Sequence, residues 1–420
     1  MNKLLIRLLI GILILLPTIS LVSPVAAEEA ISVVANNHQN EFPTQVKFGL
    51  EATSSSDITK VTLYYKLQGS SVLTLAYPKF DQGKRIKTEY VWNTQSRYIP
   101  PGVEIRYYWV IEDASGNKLK TEQKSFTVED VRFKWQKVGD DKITIYWYDG
   151  DTSFGKSLLG FAEKSLERTS QEIGATIQEP VKIYIYANNK DLLGALEPKA
   201  QEWTGGRSFS EIGIIALMVE PSASGLAWAE RAVPHELNHV VVHQATANPY
   251  GDIPQWLSEG LAMHAEGPQE ASYKRSLDEA IKSNHLISLK SLASNFPADG
   301  EQARLSYAES YSVVDFILRQ YGREKMQQLL AVFKEGSDYD DALMAALGVD
   351  VAGLETAWRA SLGLGPIEVP QDAVAAPTKV SERQGSQSNS GQNGGICPGI
   401  LEIIGLAGAA LALGLKFARA

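Results

Sequence analysis

The sequence has one cysteine and no excess of positive charge, and each of these two shortages excludes a class of protein. Cys397 has no partner for an internal disulfide, so no disulfide framework holds the fold. Because the net charge is -9, we expect no binding to nucleic acid, which needs clustered Lys and Arg. The 44% of hydrophobic residues is typical of a globular protein, and 420 residues predict two or three domains.

Both ends of the chain carry patterns that are typical of membrane-related segments. Residues 1–27 have a basic start, an apolar run and an exit of small residues, which predicts a cleaved secretory signal. The alternative is an uncleaved anchor. Residues 396–420 contain a twenty-residue span that is apolar except for Glu402, with basic residues after it. This predicts a transmembrane anchor with a cytoplasmic C-terminus, or a sorting tail processed at Cys397.

The region between these ends divides by its periodicity into two predicted domains and a linker. Residues 30–128 show strict alternation, clearest from Val103 to Ile111, which predicts an all-β sandwich of immunoglobulin or fibronectin type. We expect this domain to contact a protein or the cell wall. Residues 131–363 begin with strands and continue as helices, which predicts an α+β domain. Residues 364–395 are rich in Pro, Gly, Ser, Gln and Asn and predict a flexible linker.

Two strands of the second domain can be placed from the sequence. Val181, Ile183 and Ile185 alternate with polar and aromatic residues, so we expect them to point inward from one strand. The segment from Ile212 to Val219 is a second strand candidate. It is either a core strand or an edge strand that binds substrate backbone by strand addition.

The most informative segment is His235-Glu236-Leu237-Asn238-His239, an H-E-x-x-H pattern. On a helix, the two histidines lie on one face and are separated by a rise of about 6 Å, so both imidazoles can reach one Zn²⁺. Glu236 lies one step round the helix, which suits a general base beside the metal rather than a ligand.

A catalytic zinc site needs a third protein ligand. His243 is unsuitable because three histidines at i, i+4 and i+8 spread over about 12 Å of helix axis. The extended metzincin pattern is excluded, since Ala245 stands where its third histidine belongs. Glu259 remains: a turn ends the first helix, and a second helix starting near Pro254 can return beside it.

The H-E-x-x-H pattern followed by Trp256-Leu257-Ser258-Glu259-Gly260-Leu261-Ala262 resembles the gluzincins of the thermolysin-like MA clan, and most of all the bacterial "peptidase MA-like" domains. The resemblance covers residues 131–363. It implies a zinc peptidase fold with His235, His239 and Glu259 as metal ligands and Glu236 as the base.

The chain departs from this family one turn after Glu259, where many gluzincins carry a carboxylate that orients a zinc histidine. Met263 stands there instead. Glu266 is a candidate for that role, although a solvated residue at the helix end is the interpretation we favour from sequence. His264 lies about 140° round the helix from Glu259 and is not expected to be a ligand.

The group that stabilises the oxyanion stays open between Tyr307 and Tyr311, which lie at i and i+4 on a later helix. The sequence thus predicts a membrane-tethered, extracytoplasmic zinc peptidase acting on a peptide or protein substrate. The alternative is a catalytically silent cell-surface interaction protein built on a peptidase-like domain.

Overall fold

The computed structural model describes residues 30–198, 200, 205–297 and 299–365. The predicted signal 1–27, nearly all of the predicted linker 364–395 and the predicted tail 396–420 lie outside these residues. Among the residues that are described, no helix combines the length and the apolar character needed to cross a bilayer.

The N-terminal part of the chain is a β-rich domain organised around one long strand. Its strands are β1 (Ile31–Glu41), β2 (Gln45–Leu67), β3 (Thr74–Ala76), β4 (Gly83–Asn93), β5 (Glu104–Asp113), β6 (Lys118–Lys120) and β7 (Lys124–Thr127). β2 pairs antiparallel with β1, β3, β4 and β5, which joins the strands into one sheet. The predicted alternation in β5 is confirmed by burial of Ile105, Tyr107, Trp109 and Ile111. The immunoglobulin- or fibronectin-like sandwich stays a prediction.

A second sheet has the order β11-β12-β10-β9-β8. Its strands are β8 (Gln136–Gly139), β9 (Ile143–Trp147), β10 (Val181–Tyr186), β11 (Gly206–Phe209) and β12 (Ile214–Met218). The predicted strand between Ile212 and Val219 is therefore confirmed as β12, and it is a core strand, because β10 and β11 pair with its two sides. The edge strand next to it is β11, which runs antiparallel to β12.

Ten helices lie within the described part of the chain, and eight of them follow this sheet. They are α1 (Thr152–Ile173), α2 (Asn189–Leu193), α3 (Ala223–Thr246), α4 (Gln255–Glu266), α5 (Ala271–Ser283), α6 (Leu289–Leu292), α7 (Gly300–Gln320), α8 (Arg323–Lys334), α9 (Tyr339–Leu347) and α10 (Val351–Ser361). The helical C-terminal part that the sequence predicts is thus present. The side chain of Ser222 caps α3 by accepting a hydrogen bond from the amide of Gly225 (3.1 Å).

Both faces of the second sheet are buried, each against a different partner. Val181, Ile183 and Ile185 of β10 belong to a core that includes α1 and α3, which confirms the predicted inward face. Tyr184 and Tyr186, on the opposite face of the same strand, belong to the core of the N-terminal domain. The sheet is therefore a layer shared by both cores. It contains β11 and packs against α3.

Candidate metal centre

The three residues that the sequence predicts as metal ligands lie together, because α3 and α4 pack side by side. His235 and His239 lie one turn apart on α3, and their Nε2 atoms are 3.2 Å from each other. Oε2 of Glu259, on α4, is 3.6 Å from Nε2 of His235 and 3.5 Å from Nε2 of His239. Within the described part of the chain, these three residues form a group whose side-chain ligand atoms all lie within 4.8 Å of one another, close enough to hold one metal ion.

The spacing of the three donor atoms suits a tetrahedral zinc ion. Ligands at zinc–ligand distances of about 2.0–2.1 Å in tetrahedral geometry are about 3.3 Å apart. The observed separations of 3.2, 3.5 and 3.6 Å are close to this value. Two imidazoles and one carboxylate also form one of the known catalytic zinc sets, which leaves the fourth position for substrate or water.

Each histidine is oriented through its other ring nitrogen. Nδ1 of His235 is 2.7 Å from Oε1 of Glu266, and Nδ1 of His239 is 3.1 Å from Oγ of Ser258. Donation from Nδ1 leaves the lone pair of Nε2 directed at the metal position.

The expectation that Glu266 is a solvated residue at the helix end is wrong. Its side chain is only 9% exposed, and its second oxygen accepts a hydrogen bond from Arg231 (2.8 Å). Glu266 is seven residues after Glu259, so the two side chains lie on nearly the same face of α4. It therefore supplies the carboxylate support that Met263 cannot.

A neighbouring side chain holds the carboxyl group of Glu259 in one orientation. Its Oε1 accepts a hydrogen bond from Nε2 of Gln255 (2.7 Å), so Oε2 is the oxygen that faces the histidines. Burial by itself would raise the pKa of Glu259, but the imidazoles of His239 and His235, when they are protonated in the absence of a metal, outweigh burial and lower this pKa to about 2. A carboxylate is the form that a metal needs.

Glu236 is fully buried, and neither of its carboxylate oxygens has a hydrogen-bond partner among the described residues. An isolated carboxylate in this environment is costly unless a reactant or metal shares the space. The edge strand passes close to it: a Cβ atom on Gly206 would lie 3.3 Å from Oε1 of Glu236 and 2.5 Å from Cδ2 of Leu217. Glycine at this position therefore lets β11 pass close to the expected base without displacing Leu217 or Glu236.

The glycine that follows Glu259 has a similar role between helices. A Cβ atom on Gly260 would lie 2.4 Å from the carbonyl oxygen of Ser310 and 2.5 Å from Cγ2 of Val314. The backbone of α7 thus crosses α4 directly beside the predicted third ligand. This contact gives a physical reason for glycine in the Trp-Leu-Ser-Glu-Gly segment.

A cleft of about 1000 Å³ opens onto His239 and Glu259, while His235 and Glu236 lie deeper. Tyr307 lines the cleft. Tyr311 instead stacks on His264, with ring centroids 5.8 Å apart, and is not among the residues that line it.

The two other histidines near the motif are separate from the predicted ligands. Nδ1 of His264 is 3.0 Å from Oε2 of Glu172, which agrees with its predicted exclusion from the ligand set. His243 lines the cleft one turn beyond His239.

Comparison with solved structures gives matches of low sequence identity. The M1 zinc metallopeptidase from Deinococcus radiodurans is 13% identical, over 82% of this chain and 96% of its own, with a TM-score of 0.37. Aminopeptidase A from Legionella pneumophila is 10% identical over 79% of this chain and 49% of its own, with a TM-score of 0.35. A β-1,3-glucan binding domain of carbohydrate-binding module family 56 is 20% identical over 23% of this chain and 96% of its own, with a TM-score of 0.16. No curated protein matches the sequence.

The comparison with family models gives a match to one region of the chain. Residues 161–363 match the model of the Peptidase MA superfamily, and this range contains the histidines of α3 and Glu259 of α4. This match supports a peptidase-like domain of the MA clan in this region, which is just under half of the chain.

Proposed function

We propose that the chain is a zinc-dependent peptidase that hydrolyses peptide bonds, with His235, His239 and Glu259 as ligands and Glu236 as general base. One observation carries the proposal. Three donor atoms surround one point at mutual distances of 3.2–3.6 Å, and the side chain of Glu236 is buried without a hydrogen-bond partner among the described residues. A structural role alone gives no reason to bury Glu236 in this way.

The roles of the residues follow from their chemistry. A zinc ion held by His235, His239 and Glu259 would act as a Lewis acid. It would polarise the substrate carbonyl and lower the pKa of a bound water molecule. Glu236 takes a proton from the attacking water and passes it to the leaving amine. Glu266 and Ser258 hold the two imidazoles in the tautomer that directs Nε2 to the metal.

The cleft supports the proposed binding of a polypeptide substrate. β11 is an edge strand, and its residues Arg207 and Ser208 line the cleft. An extended peptide adds to such an edge through main-chain hydrogen bonds, which brings a peptide carbonyl beside the metal position. Tyr307 lines the same cleft, and we assign to it the donation of a hydrogen bond to the developing oxyanion.

The proposed location is extracytoplasmic, with the peptidase tethered to the membrane. The basic, apolar and small-residue pattern of residues 1–27 supports export, and the apolar span within residues 396–420 supports an anchor. The N-terminal domain remains a proposed contact for a protein or the cell wall.

The test compares peptide hydrolysis by the wild type and by Glu236→Gln, with zinc content measured in parallel. Because glutamine cannot accept the proton, we expect the variant to keep its zinc and to lose about 10²- to 10⁴-fold in kcat. Loss of hydrolysis together with loss of zinc would indicate a structural defect instead. A zinc-loaded wild type that cleaves no peptide in a diverse library would favour a catalytically silent surface protein.

A further inference from the structure

An exposed aromatic ring lines the cleft. Tyr250, in the loop between α3 and α4, is 81% exposed, and it lines the same cleft as His239 and Glu259. A tyrosine ring buries a large area when a partner covers it. Most of this ring is therefore available to a ligand in the cleft.

The loop holds the ring in place. The side chain of Asn248 donates to the carbonyls of Phe333 (2.9 Å) and Gly251 (3.1 Å), and it accepts from the amide of Tyr250 (2.8 Å). One side of the ring lies against Gly336, where an added Cβ atom would be 2.3 Å from Cδ2 of Tyr250. The exposed ring is thus positioned by the fold, which lowers the entropy cost of contact with a ligand.

The surroundings of the ring are acidic. Asp252 and Asp338 both line the cleft, and both are exposed. The one lysine or arginine that lines the cleft, among the described residues, is Arg207, and it is paired with Glu197. The lining of the cleft therefore holds more acidic than basic side chains, which favours a positively charged ligand.

We infer that Tyr250, together with Asp252 and Asp338, binds a lysine or arginine side chain of the substrate; the inference rests on the proposed peptidase function. The ring attracts a cation through its face, and the two carboxylates add charge attraction.

Binding to the full-length chain carrying Glu236→Gln tests the inference without turnover. The probes are peptide series in which one lysine, or its uncharged analogue norleucine, is moved through successive positions. We expect one position at which lysine lowers Kd about fivefold to tenfold relative to norleucine. Adding Tyr250→Ala should remove this preference, while Tyr250→Phe should keep it because the ring remains. Tyr77→Ala, which removes a 67% exposed ring outside the cleft, is the matched control.

The outcomes separate this inference from the proposed function. A lysine preference that is absent in the parent chain, or unchanged by Tyr250→Ala, overturns the assignment of Tyr250 whether or not the wild type cleaves peptides. A preference that depends on Tyr250, in a chain whose wild type cleaves nothing, supports the binding role and contradicts peptidase activity.

Discussion

At the scale of single residues, the sequence predicts the positions of the donor atoms but only part of their support. The spacing of His235 and His239 follows from helix geometry, and Glu259 follows from the need for a third ligand. The hydrogen bond from His235 to Glu266 was not predicted, because helix periodicity places Glu266 on the correct face but does not show that Arg231 and His235 enclose it.

Glu266→Ala should weaken zinc binding about 10- to 100-fold, because His235 loses the carboxylate that fixes its ring. Competition with a chromophoric chelator measures the affinity. Glu270→Ala is the matched control, since Glu270 also pairs with Arg231 (3.2 Å). We expect Glu270→Ala to change zinc affinity less than about threefold, and equal losses in the two variants would contradict a role for Glu266 at His235.

At the scale of helices and strands, the sequence predicts the elements better than their contacts. The start of a helix near Pro254 is confirmed by α4, and the strand near residues 212–219 by β12. The close crossing of α4 and α7 at Gly260 depends on which helices meet in the folded chain, and periodicity within one helix does not contain that information.

The packing of α7 separates two tyrosines that look equivalent in the sequence. Tyr307 is 2% exposed at the cleft, with its ring centroid 5.1 Å from that of Phe296, whereas Tyr311 is stacked on His264. Residues at i and i+4 share a helix face, but α7 packs against α4, α5, α8 and α10, so positions one turn apart can meet different neighbours. The choice between them needs the tertiary structure.

Tyr307→Phe should lower kcat about 10²- to 10³-fold with a smaller effect on KM, because the lost hydroxyl is the group that we assign to the developing oxyanion. Tyr311→Phe is the internal control and should stay within about threefold of the wild type. Steady-state kinetics on one peptide measures both variants. Similar kcat values for Tyr307→Phe and the wild type would remove Tyr307 from the mechanism.

At the scale of the whole molecule, the second sheet joins the N-terminal domain to the peptidase-like part. Tyr98 donates to the carbonyl of Ala195 (3.0 Å), and Lys182 donates to the carbonyl of Gly102 (2.8 Å). The sequence places Tyr184 and Tyr186 on the second face of β10, but it does not show what covers either face. The shared core therefore could not be predicted from periodicity.

Gly102→Ala tests this junction. Its φ of 91° already disfavours alanine, and the added Cβ would lie 2.5 Å from Cε2 of Tyr184 across the junction. Gly116→Ala, at a φ of 86° with no atom within 4 Å of the new Cβ, carries the same backbone strain without the clash. We expect Gly102→Ala to lower the free energy of unfolding by about 1–3 kcal/mol more than Gly116→Ala does. Equal losses in denaturant unfolding would mean that the contact with Tyr184 is not tight.

The central claim is that His235, His239 and Glu259 together hold one metal ion. The most direct measurement is the metal content of the chain purified without chelators, by elemental mass spectrometry, for the wild type and Glu259→Ala. The account predicts close to one zinc per wild-type chain and its near-complete loss in Glu259→Ala, with both proteins folded by circular dichroism. A folded wild type without stoichiometric metal, or a Glu259→Ala variant that keeps its zinc, would contradict it.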